Sequence, residues 1–162
     1  MSSVGSSPDS DRIGLEELIG SLELRNVSFF EVSARRWNAD PDVDEKPFEE
    51  EDIDLKVMHK VQSDRVSVRC RMVFSGTEGR VVADAAALFV IKEDQDVSDS
   101  REVELDPQVL RAFISRVGIR IVFPYLREAV QESARKVRIK APVLNLLRPG
   151  QLDIDEPEDP EF

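Results

Sequence analysis

The chain has 162 residues and carries 33 Asp and Glu against 22 Lys and Arg, a formal net charge of −11. That excess repels nucleic-acid phosphates and anionic membrane surfaces, and no apolar run approaches the ~20 residues that a membrane-spanning helix requires. A single cysteine, Cys70, permits no internal disulfide, so composition predicts one soluble, cytoplasmic domain with a modest core.

The opening MSSVGSSPDSD, residues 1–11, lacks the basic region and apolar stretch of a secretory signal and predicts a disordered lead before a domain over 12–149. Arg12 to Ile19 is weakly periodic and fits either a helical turn or an extended arm. From Ser21 to Glu31, Leu22, Leu24, Val27 and Phe29 predict a first strand, with a slip in parity between Leu24 and Val27 that suits a bulge. Asn38 to Glu50 is acidic, contains two prolines and predicts a long solvated loop. Ile53, Leu55, Val57, His59 and Val61 then share one parity, and Val66, Val68, Cys70, Met72 and Phe74 do the same in the next run, so each predicts a half-buried strand. After the turn Ser75 to Gly79, the run VVADAAALFVIK is apolar on both parities and predicts a strand covered on both sides. The four runs together predict an antiparallel meander joined by short hairpins.

A second acidic stretch, Glu93 to Glu104, precedes Asp106 and Pro107, which read as an N-cap and a proline at the first helical position. Val109, Leu110, Phe113, Ile114 and Val117 give that helix its buried stripe, and Gly118 its C-cap. A second helix is predicted from Pro124, with Leu126, Ala129, Val130, Ala134 and Val137 on one face and Glu132 paired to Lys136 on the other. Residues 150–162 are acidic and proline-bearing and predict a disordered tail. The fold class that follows is α+β, a four-stranded antiparallel sheet with two C-terminal helices packed on one face.

Catalysis finds no foothold in these residues. His59 is the only histidine, which excludes a multi-histidine metal site, and its core parity predicts a structural, hydrogen-bonded role. Cys70 sits among apolar neighbours, where a thiol is inert. No GxxxxGK[ST] phosphate loop is present, and Gly76 and Gly79 fit a hairpin turn. The chain therefore reads as a non-enzyme that needs no cofactor and no metal. Two helices cover only one face of a sheet, so the apolar surface left over predicts a further subunit or a ligand.

Two strings go beyond periodicity. FPYLRE at Phe123 to Glu128, followed by PVLNLLRP at Pro142 to Pro149, resembles the SecB family of bacterial export chaperones, whose members carry FPYxRE and then P-x-LNL-x-P. VSFF at Val27 to Phe30 is similar to the family's first-strand pattern. The resemblance implies a homotetramer, a dimer of dimers, whose apolar grooves and open strand edges hold unfolded precursor proteins without ATP and hand them to the SecA motor. On that reading Phe29, Phe30, Trp37, Phe89, Phe123, Tyr125 and Leu126 contact the client. Asn26 and Phe30 stand near positions where export-type members carry carboxylates that dock SecA, and the family's long final helix has no counterpart here. Both departures resemble SecB-like chaperones of toxin–antitoxin systems, whose client is a nascent antitoxin. A structural oligomerisation module with no client is the third reading.

Overall fold

The computed structural model describes residues 13–37, 50–62, 64–92 and 105–144. The expected lead, the acidic stretches at 38–49 and 93–104, the second motif from Asn145 onward and the acidic tail lie outside the described residues. The segment that fitted either a turn or an arm is a short helix, α1 (Leu15–Ser21), anchored by buried Leu18 and closed by the Ser21 hydroxyl donating to the Leu18 carbonyl at 2.9 Å.

Four antiparallel strands follow: β1 (Leu22–Arg36), β2 (Asp52–Gln62), β3 (Arg65–Ser75) and β4 (Gly79–Ile91). The expected meander holds from β2 to β4. The sheet order is β1-β4-β3-β2, however, so β1 lies beyond β4 and not beside β2. The physical reason lies in β4, whose two apolar parities suit a central strand, whereas the mixed faces of β1 and β2 suit the two edges. On the outer side of β4, Val82, Asp84 and Ala86 are buried, Asp84 beneath Arg69 and Arg71 of β3, while Leu88 and Val90 are partly exposed.

Paired residues share a face, which fixes the inner surface: Val66 with Phe89, Val68 with Ala87, Cys70 with Ala85, Met72 with Ala83 and Phe74 with Val81. All ten are buried. Helical chain covers this face over β4, β3 and part of β1. In place of the two helices expected, one continuous helical run extends from α2 (Pro107–Phe113) through a π turn (Ile114–Gly118) into α3 (Ile119–Lys136). Asp106 caps it as predicted, accepting the Gln108 N–H at 2.8 Å.

Gly118 is therefore not a C-cap, nor is Pro124 a first-turn residue. Buried pairs Phe113/Ile114 and Gly118/Ile119 are five residues apart, and only a widened turn keeps both on the sheet-facing side. Gly118 meets β3 so closely that a Cβ there would lie 2.7 Å from Val68 Cγ2. Pro124 is tolerated within α3 because it and Arg120 both face solvent, where the carbonyl left without an N–H partner is hydrated. α3 ends where expected, at Val137, with Arg138 in the left-handed region (φ 57°) and the Ile139 N–H returning to the Ala134 carbonyl at 3.0 Å.

Candidate functional site

The helical layer stops short of the outer flank of β1. Along that flank Leu24 pairs with Phe89, Phe29 with Ala85 and Val32 with Ala83, so all three side chains stand on the inner face. Nevertheless Leu24, Phe29 and Val32 are 42%, 45% and 48% exposed. On the same face of the strand Leu22 is buried, and Val27 and Ala34 pack against the core. The strip is thus apolar, wet and continuous with the core. It lies on a strand of 15 residues that is the edge of the sheet among the described residues, with no described strand beside its outer backbone groups.

Register shifts between Leu24 and Asn26 and between Phe29 and Glu31 re-phase the strand twice. The first is the bulge that the slipped parity predicted. The second was missed, though the same three-residue step, Phe29 to Val32, signals it. Because of it, Glu31 joins Phe30 on the opposite face of the sheet, which no described helix covers, and Val32 returns to the inner one.

That open face carries a charge cluster that sequence reading did not single out. Asp84, fully buried in the middle of the apolar run of β4, accepts two bonds from Arg69 (2.9 Å each) and one from Arg71 at 3.0 Å. Burial alone would push its carboxyl up, but the two guanidiniums outweigh it and hold the group below the usual carboxylate range. Arg71 also reaches Glu31 at 2.7 Å, and the Ser33 hydroxyl and Arg71 hold Glu31 low as well. Phe30 roofs the cluster, its ring centroid 4.1 Å from Arg69 Cζ. A lone acid in an apolar strand, opposite the alternating arginines of its neighbour, was the available signal.

The other residues expected at the site are scattered. Phe89, Phe123 and Leu126 are buried in the core at 4%, 7% and 0% exposure, with Phe89 edge-on to Phe113 at 5.1 Å, so their surface is already used within the chain. Trp37 clips the end of β1 to the β3–β4 hairpin: its indole N–H donates to the Gly76 carbonyl at 2.8 Å and its backbone N–H to that of Glu78 at 2.9 Å. Tyr125 is exposed on α3. Phe29 alone of the seven lies on the apolar strip.

Cys70 is buried and its thiol is pushed up to about 12, chiefly by burial, which suits the inert role expected of it. His59 departs from expectation: among the described residues its buried Nδ1 has no hydrogen-bond partner, because the inner-face neighbours of β2 are apolar. No group of three or more His, Cys, Asp or Glu that could hold a metal occurs among the described residues, and no helix there is long and apolar enough to cross a membrane.

No protein-family model matches the chain. It is 30% identical over 145 residues to the SecB-like chaperone SmegB of Mycolicibacterium smegmatis, covering 90% of this chain and 88% of the relative. Its fold is similar, with a TM-score of 0.60 and 16% identity, to that of the Mycobacterium tuberculosis Rv1957 SecB-like chaperone, solved in complex with a ChAD peptide from the Rv1956 HigA1 antitoxin. That match covers 82% of this chain and 92% of the other, and it bears on the fold alone.

Proposed function

The chain belongs to the SecB-like chaperone family, and from that premise we propose that it is a nucleotide-independent holdase whose client is a nascent antitoxin. The observation that carries this reading is the exposed apolar strip of Leu24, Phe29 and Val32 on the open edge strand β1. A non-native segment laid beside β1 gains main-chain hydrogen bonds that need no particular sequence, while its apolar side chains cover the strip. Burying one large apolar side chain contributes about 1.5–3 kcal/mol, so a few contacts give useful but reversible affinity. Tyr125, also exposed, extends the apolar surface on α3. Capture of this kind uses no catalytic group and no ATP, and the client leaves when it folds with its own partner. The protein acts in the cytoplasm as a homotetramer, whose subunit contacts cover apolar surface that the single chain leaves wet.

Two features support the antitoxin branch: the solved neighbour holds an antitoxin peptide, and β1 presents Asn26 and Phe30 where export-type members carry docking carboxylates. The second reading, delivery of precursors to SecA, is supported by the strings FPYLRE and PVLNLLRP. The test is suppression of aggregation of an unfolded antitoxin, and of an unfolded secretory precursor, without nucleotide. We expect suppression of the antitoxin at equimolar protein, no release of bound precursor on adding SecA, and a roughly tenfold weaker capture by Phe29→Asp at unchanged circular dichroism. SecA-driven release would replace the antitoxin reading with export. No suppression of either client would leave a structural oligomerisation module, and unaltered capture by a folded Phe29→Asp would remove the strip from the site.

A further inference from the structure

One row of residues crosses three strands on the open face of the sheet: Arg71 of β3 is paired with Asp84 of β4, and Asp84 with Glu31 of β1. Two carboxylates directly opposite each other repel, so this pairing depends on Arg71, which lies 2.7 Å from Glu31 and 3.0 Å from Asp84. Arg69 grips Asp84 with two further bonds of 2.9 Å, and the Phe30 ring lies over the Arg69 guanidinium at 4.1 Å. Phe30 and Glu31, the two residues at the second bulge of β1, are thus both held by arginines that one buried acid fixes in place. Desolvating that acid is costly, and its neighbours Ala83, Ala85, Ala86 and Ala87 mark a stretch that small apolar residues suit. Those alanines offer β1 nearly uniform partners, so packing against them does little to decide which β1 residue stands opposite which.

We propose that Asp84 is a positioning residue for client capture: through Arg71 and Arg69 it holds Glu31 and Phe30 on the open face and so keeps Phe29 and Val32 together on the other, a role that rests on the strip being the client site. The ladder makes the consequence of losing the bulge definite. With the bulge closed and Phe29 kept opposite Ala85, Glu31 would face Ala83 on the inner side and Val32 would face Val82 on the outer one. With Glu31 kept opposite Asp84, Phe29 would face Ala86 and leave the inner side instead. Either change divides the apolar strip. Asp84 touches no client itself, being fully buried on the side of the sheet away from the strip. Planar guanidiniums in paired, charge-assisted bonds give this hold a direction as well as a strength, which an alanine in its place could not supply.

The test compares the full chain with its Asp84→Asn and Glu31→Gln variants by methyl NMR and by capture of an unfolded antitoxin. Val32 stands opposite Ala83 on the same face, so their methyl groups give a strong nuclear Overhauser contact in the wild type. In Asp84→Asn that contact is expected to vanish or to move to Val82, with capture about tenfold weaker, as in Phe29→Asp. Glu31→Gln, at a partly exposed position, guards against an Asp84→Asn chain that does not fold, and the same changes are expected there at smaller size. Val68→Ala lowers stability in the core away from the row, and Asp64→Asn removes a carboxylate from an exposed ion pair; both leave the contact and the capture of the folded protein at wild-type levels. A Val32 to Ala83 contact that persists in both row variants would overturn the proposal. Loss of the contact with capture unaltered would remove Asp84 from client positioning, and an equal loss of capture in Val68→Ala would reduce its role to stability. A wild type that captures no client would overturn the holdase reading and this role with it, and the NMR contact alone would then report on the bulge.

Discussion

At the scale of single residues, the fully buried Asp84 carboxylate and the buried Nδ1 of half-buried His59 are treated in opposite ways. Asp84 is met by two arginines from the adjacent strand, so its charge is stabilised where it lies. His59 Nδ1 is not met, and burial lowers its pKa from the ordinary 6.5. The consequence for stability has a definite sign: below the ordinary value the unfolded chain takes up a proton that the folded chain refuses, so unfolding gains as pH falls. Melting temperature should therefore drop as pH is lowered from about 6.5 toward the depressed folded-state value, and His59→Leu should flatten that part of the curve. A wild-type curve flat across this interval would contradict the burial of His59. Asp84 and Glu31, both held low, act in a separate acidic window, where their contribution is lost only as pH falls through their depressed values. Sequence parity put His59 on the inner face correctly, but parity says nothing about whether a neighbour offers a hydrogen bond. The ion cluster escaped for a related reason, since Arg69, Arg71 and Asp84 meet only once β3 and β4 are paired in register.

Among the elements, those with simple periods were legible and those with a shifted phase were not. The alternation in β2 and β3, the Asp106–Pro107 helix start and the Ser75 to Gly79 turn all stand as read. The helical run from Pro107 to Lys136 was split in two because Gly118 and Pro124 carry strong local signals for an end and a start. Packing overrode both: a π turn re-phases the apolar stripe, and Gly118 lets the helix approach Val68. This gives a prediction at a position where propensity and packing disagree. Gly118→Ala gains about 1 kcal/mol of helix propensity, yet its methyl group would press on a stiff, fully buried valine, and overpacking costs about 1–3 kcal/mol. The net expectation is a loss of about 1 kcal/mol in denaturant unfolding. A stabilised variant would mean that helix and sheet are less closely seated than the structure has them.

For the whole molecule, the layout separates two surfaces on one strand. β1 sits at the edge of the described sheet, with an apolar strip on the helix side and an ion cluster on the open side, and two bulges give each its facing residues. The family was legible because its strings are literal, and the fold class because alternation and capping are local. The place of β1 was not, since an edge strand's neighbour is set by long-range pairing, for which the sequence around Leu22 to Arg36 carries no code. Nor was the scatter of the seven expected contact residues, because aromatic character marks core and surface alike: Phe89 and Phe123 fill the interior while Phe29 stays wet. The central claim is that a client is captured along the open flank of β1. Amide hydrogen exchange of the full chain, with and without an unfolded antitoxin, tests it most directly. The account predicts that amides between Leu24 and Val32 that point away from β4 become protected on client addition, while those of β3 stay as they were. Unchanged exchange along β1 with protection confined to other elements would contradict it.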